Sequence, residues 1–215
     1  MKDICVSVQH VSKWFGDEQV LDDVSRDFEA GRIHGIVGNN GSGKTVLFKC
    51  ICGFLRPEKG RVFVDYEEVG RQVDFPPDLG LIIETPGFLP GLTGQQNLEL
   101  LASLRRKIGR QQVQEAMRRV GLDPGLRKRV RSYSLGMRQR LGIAQAIMEK
   151  PSLLILDEPF NGLDHSGVRE MRILLQEMNR EGTTILLASH NGADIAALCD
   201  TVCEMDAGHI REVNL

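Results

Sequence analysis

Short apolar alternations open the chain. Ile4 to Val8 and Leu21 to Phe28 both alternate in the manner of strands, and the break at Gly16-Asp17 between them predicts an antiparallel β edge. Ile33 to Val37 is a further strand that runs into glycines and then into an apolar helix, Val46 to Phe54, a β-loop-α unit of the kind that builds parallel sheets. Between Glu84 and Tyr133 strand patterns give way to helical ones, opening after the Pro86-Gly87 and Pro90-Gly91 breaks. There Val113, Ala116, Met117 and Val120 mark one face of an amphipathic helix ended by Gly121. Strand-length apolar runs return at Leu153 to Leu156 and Thr184 to Ala188, flanking a helix from about Gly167 to Arg180 that Gly182 closes. Two last strands, Val202 to Met205 and Ile210 to Val213, turn at Ala207-Gly208. The expectation is one α/β domain over residues 1–215. Residues 1–84 and 150–215 form a parallel core with an antiparallel edge, about 85–149 form a helical subdomain, and no regulatory domain or repeat is expected.

Composition narrows the functional classes. A chain of 215 residues holds one domain with a substantial core, with room for a small appended subdomain but not for two independent large domains. Its formal net charge of -2 lacks the strongly basic character of a dedicated nucleic-acid binder, so no nucleic-acid partner is expected. Arg127, Lys128, Arg129 and Arg131 form a basic cluster that phosphate or anionic lipid could use. Such a run is more commonly a solvated helix end or loop, and the sequence assigns it no role. The longest apolar runs are strand-length, far short of the roughly 20 residues that cross a bilayer. The start, Met1-Lys2-Asp3-Ile4-Cys5, has no apolar stretch of signal-peptide length, which predicts a cytoplasmic location. The five cysteines, with close pairs Cys50/Cys52 and Cys199/Cys203, lack the second half of a zinc pattern and read as reduced thiols.

The chemistry concentrates in two places. Gly38-Asn39-Asn40-Gly41-Ser42-Gly43-Lys44-Thr45 fits G-x-x-x-x-G-K-[ST] and lies after a strand and before a helix, the context a phosphate-binding loop requires. Glycines let backbone N–H groups converge on phosphate, and the helix N-terminus adds a favourable potential for anions. Lys44 is expected to bind the β- and γ-phosphates of ATP, and Thr45 to ligate Mg²⁺. The second place is Leu153-Leu154-Ile155-Leu156-Asp157-Glu158, an apolar strand ending in two carboxylates. Beside a phosphate-binding loop, Asp157 is expected to help hold Mg²⁺ and Glu158 to polarise the attacking water.

With these residues the chain resembles the ATP-binding cassette ATPases, the nucleotide-binding subunits of ABC transporters, over essentially its whole length. Tyr133-Ser134-Leu135-Gly136-Met137-Arg138-Gln139-Arg140 is similar to the family's signature, Asn161-Gly162-Leu163-Asp164 to its D-loop, and Ser189-His190 to its switch histidine. Phe15 resembles the adenine-stacking aromatic, with core packing or neighbouring Trp14 as rival readings. Glu84 stands where the family usually has glutamine, which gives it a place near the γ-phosphate and the metal. The resemblance implies an ATPase of the P-loop fold in which Ser134 and Gly136 of one copy close over ATP held by the loop of a second copy, in a head-to-tail dimer. Ser134 also suits a plain helix N-cap for an expected helix Leu135 to Met148. His190 is implied to orient the attacking water. Leu135 and Met137 depart from the family's glycine and glutamine. Together with Glu84 they are similar to a bacterial subgroup that acts with separate permeases in export of, or self-protection against, bacitracin and lantibiotics.

The leading expectation is therefore a transporter motor subunit, held at the inner face of the membrane by a permease on another chain. A soluble ATPase of this family acting on ribosomes or DNA is the alternative, and the 90-residue step from Lys44 to Ser134 has no room for its tandem cassettes or long coiled coils. A GTPase or small-molecule kinase would share only the phosphate loop, and no N-K-x-D motif is present.

Overall fold

The computed structural model describes residues 3–84 and 86–213. Thr85, the first residue of the expected helical insert, lies outside them, as do Met1, Lys2, Asn214 and Leu215. Strands β1 (Ile4–Phe15) and β2 (Glu18–Glu29) pair antiparallel around the Gly16-Asp17 turn. Both outrun the apolar stretches that announced them. β1 departs from regular pairing between Val8 and Val11, around His10 at φ 52°, and this irregularity breaks the alternation that a sequence reader follows.

β3 (Ile33–Val37) leads into α1 (Lys44–Ile51), after which β4 (Lys59–Val64) and the short β5 (Glu67–Glu68) join β1 and β2 in a four-stranded sheet of order β2-β1-β4-β5. α1 starts two residues before the expected Val46, because Gly43 turns the chain at φ 106° directly into the helix. It ends before Phe54, because Gly53 takes φ 84° and packs under the Asp74 carbonyl, where a Cβ would come within 2.1 Å.

β6 (Leu79–Ile82) opens the helical region, which comprises α2 (Gly94–Arg105), α3 (Arg110–Arg119), a 3₁₀ turn (Val130–Ser132) and α4 (Leu135–Ile147). Thr93 and Gln96 form a capping box that starts α2. β7 (Leu153–Asp157), α5 (His165–Arg180), β8 (Thr184–Ala188), α6 (Gly192–Leu198), β9 (Thr201–Asp206) and β10 (His209–Val213) complete the chain. α5 begins at His165 because Asp164 caps it, accepting a 2.8 Å bond from the Gly167 N–H.

The second sheet has the order β10-β9-β3-β8-β7-β6, parallel from β9 to β6 with β10 antiparallel at its edge. β7 and β8 are buried at every position, which is why they read as unbroken apolar runs. One apolar cluster lies between this sheet, α1 and the antiparallel sheet, and includes Phe28, Phe48, Ile155 and Leu186. The other covers the opposite face and continues without interruption from Leu154 and Leu187 into Leu98, Val113, Met117 and Leu141 of the helical insert.

Candidate active site

Four of the functional segments leave the carboxyl ends of parallel strands, the edge where open α/β sheets bind ligands. Ile36 and Asp157 both pair with Ala188, and Ile82 pairs with Leu156. That register brings the exits of β3, β7, β8 and β6 to one level. From these exits come Gly38–Thr45, Asp157-Glu158, Ser189-His190 and Glu84.

Glycine is required at specific points of the loop. Gly38 takes φ 152°, and a Cβ there would approach the Met205 carbonyl to 2.2 Å. Asn39 accepts from the Ser42 N–H at 3.2 Å, which curls the loop before Gly43 starts α1. Lys44 is 6% exposed, and its Nζ donates to the Gly38 carbonyl at 2.7 Å and the Asn39 carbonyl at 2.9 Å. Ser42 is likewise buried, and its Oγ has no partner among the described residues. An unpaired buried hydroxyl beside a buried ammonium, at a helix N-terminus, fits an anionic ligand.

Thr45 Oγ1 donates to Asp157 Oδ2 at 2.5 Å, so the two expected metal ligands already meet. A hydroxyl oxygen and a carboxylate are the hard donors that Mg²⁺ takes. Burial, above all, pushes the Asp157 carboxyl above its ordinary pKa. The Thr45 hydrogen bond and the Lys44 charge pull it down, while the Glu158 and Glu84 charges push it up.

Glu158 sits at φ 50°, and its N–H donates to the Ala188 carbonyl at 2.9 Å. His190 holds both of its carboxylate oxygens. The His190 N–H donates to Oε1 at 2.9 Å, and Nδ1 lies 2.8 Å from Oε2. His190 thus fixes the orientation of the Glu158 carboxylate, which lines the cavity.

Asn40, Gly41, Gly43, Lys44, Thr45, Glu84, Asp157 and Glu158 line one cavity of about 530 Å³. Leu135, Arg138 and Gln139 of α4 close its far side. Ser134 and Gly136 stand outside this lining. Ser134 is exposed, and its Oγ accepts from the Met137 N–H at 3.2 Å as the N-cap of α4. Gly136 faces the D-loop, where a Cβ would meet the Gly162 carbonyl at 2.8 Å. In turn Gly162, at φ 78°, lies under Leu135, whose Cγ would be 2.4 Å from a Cβ. Phe15 is also outside the lining. It is 48% exposed, with the Lys13 ammonium 5.5 Å from its ring.

Two residues beside this site have no role assigned to them by the sequence motifs. Lys49, one turn beyond Thr45 on α1, lies with its Nζ 2.6 Å from Glu84 Oε1 and neutralises a carboxylate that would otherwise repel phosphate. Gln139 donates to the Pro159 carbonyl at 2.8 Å and ties α4 to the strand end beside Glu158. A lysine four positions after the loop threonine is the one clue that could have found the first.

All five cysteines are buried and free. Burial pushes the Cys50 and Cys52 thiols up to about 12, far from the thiolate form that metals bind. Among the described residues no helix is long and apolar enough to cross a membrane.

The family model described as ABC transporter matches residues 21–161. The bacitracin transport ATP-binding protein BcrA of Enterococcus faecalis is 40% identical over 98% of this chain and 69% of its own length. The lantibiotic transport ATP-binding protein SrtF of Streptococcus pyogenes is 31% identical over 92% of this chain and 85% of its own. Among solved structures, a dimeric ATP-binding cassette in a post-hydrolysis state with ADP and Pi superposes with a TM-score of 0.87, covering 98% of both chains. At 22% identity it attests the fold alone.

Proposed function

The chain belongs to the ABC transporter family as an ATP-binding subunit that hydrolyses ATP; on that premise we propose that it powers a separate permease in export of, or protection against, an antimicrobial peptide. The observation that carries this reading is the meeting of the phosphate loop, Asp157, Glu158 and His190 at one sheet edge, where phosphate binding and water activation share a cavity. The relatives' names, bacitracin and lantibiotic transport, support a peptide antibiotic as the transported molecule.

Residues divide the work as follows. Lys44 and the backbone of Gly41 to Thr45 take the β- and γ-phosphates, and Lys44 leaves the two carbonyls it now holds to do so. Thr45 and Asp157, with Glu84, would hold Mg²⁺, which would supply neutralisation of phosphate charge. Glu158, oriented by His190, accepts the proton of the attacking water. Phe15 stacks on adenine. Ser134 and Gly136 face away from their own chain's cavity and serve a second copy, so that two copies arranged head to tail complete two sites. The insert over about 85–149 carries the resulting motion to the permease, which holds the chain at the cytoplasmic face of the membrane.

Purification of the tagged chain from detergent-solubilised membranes tests this. A multi-span permease is expected to co-purify and to be released when the complex is disrupted. Recovery with ribosomes alone would overturn the transporter reading.

A further inference from the structure

Charge is distributed very unevenly along this chain. Residues 85–149 carry twelve Lys and Arg against four Asp and Glu, a net +8, whereas the rest carries fifteen against twenty-five, a net -10. Several cations of the insert are spoken for. Arg105 pairs with Glu149, Arg110 with Glu99, and Arg140 with Glu170 of the core. Arg127, Lys128, Arg129 and Arg131 differ, because all four are exposed and none has an ion-pair partner among the described residues. Asp123, the nearest acid in sequence, spends an oxygen on the Gly125 N–H.

The cluster is held in place. The Val130 N–H donates to the Leu92 carbonyl at 2.9 Å, and the Arg131 N–H to the Pro90 carbonyl at 3.1 Å. These bonds fasten the cluster to a loop that Asn97, itself 4% exposed, pins through the Leu89 N–H and carbonyl. Leu89, next to Pro90, is 50% exposed. Four unpaired cations on a fixed segment next to an exposed leucine form a surface for a polyanion with an apolar margin.

We propose that this face of the insert docks on the anionic surface of the membrane, through direct contact with lipid headgroups. The inference rests on the transporter reading for the membrane's presence. Permease loops are the poorer partner, since cytoplasmic loops of membrane proteins are themselves rich in Lys and Arg and would repel the cluster. The opposed charges of insert and core add an orienting field that turns the insert toward a negative surface and the core away from it.

Flotation of the purified chain, without permease, on phosphatidylcholine vesicles with and without phosphatidylglycerol tests the proposal separately from the transporter reading. Binding is expected only with phosphatidylglycerol, and it should be lost at about 1 M salt, where the Debye length is about 3 Å. Neutralising the cluster (Arg127→Gln, Lys128→Gln, Arg129→Gln, Arg131→Gln) should weaken binding about fivefold per cation. The thermal melt should not move, and Arg169→Gln with Arg180→Gln on α5 should leave binding intact. Equal binding to neutral vesicles, equal loss in the α5 variant, or binding to duplex DNA as strong as to vesicles would each overturn it.

Discussion

The two jaws of the proposed site are built in opposite ways. The phosphate loop is closed on itself, with Lys44 buried and bonded to two carbonyls and Thr45 already joined to Asp157. The signature segment is open. Ser134 is exposed, Leu135 is 64% exposed, and the one bond the Ser134 side chain makes among the described residues is a helix cap. A loop whose backbone is already curled around a buried lysine and an unpaired buried hydroxyl can hold nucleotide alone, whereas an exposed N-cap gains from whatever anion is brought to it. In the proposed head-to-tail pair, binding belongs to one copy and turnover to two.

The largest break in that division should come from Glu158→Gln, which keeps the phosphate site and removes the carboxylate that His190 aligns. Phosphate release should fall about 10²- to 10⁴-fold while nucleotide binding persists and an ATP-held dimer accumulates in size-exclusion chromatography. Unchanged turnover would falsify Glu158 as the base.

A sharper test mixes two defective jaws. Lys44→Ala should weaken nucleotide affinity by about tenfold to hundredfold, the worth of charge-assisted bonds, and Ser134→Ala should slow turnover. In a head-to-tail pair of one copy each, one site loses both groups and the other keeps both. Mixed protein should hydrolyse ATP faster than either variant alone, and a simple average of the two would contradict a shared site.

The smallest effect is on stability. Because burial raises the Asp157 pKa in the fold, the ionised form is disfavoured there. The native protein loses that margin as pH rises from the unfolded-state value through the folded one. Asp157→Asn should then raise the melting temperature at neutral pH, by at most on the order of 2–4 °C, with the gap closing on acidification. The same variant should lose the Mg²⁺ dependence of nucleotide binding.

Legibility in the sequence follows burial. β7 and β8 were readable because both faces are apolar, and the phosphate loop because its glycines are needed at fixed positions. β4 was not, since Lys59, Gly60 and Arg61 make its first half exposed and polar, and α6 is too short for a helical period to emerge. The role of Lys49 is invisible along the chain because Glu84 lies 35 positions away and meets it only when β6 is laid beside β7. The signature was legible as a motif, but that Leu135, Arg138 and Gln139 line the cavity of their own chain while Ser134 and Gly136 stand outside it is a property of the fold.

The contact between Leu135 and Gly162 has a consequence for variation. With φ at 78° and a leucine overhead, a side chain at position 162 would be strained and would press on Leu135. The two positions are a size-matched pair. A side chain at position 162 should therefore be better tolerated when Leu135 is made smaller, which thermal melts of the single and double variants would show.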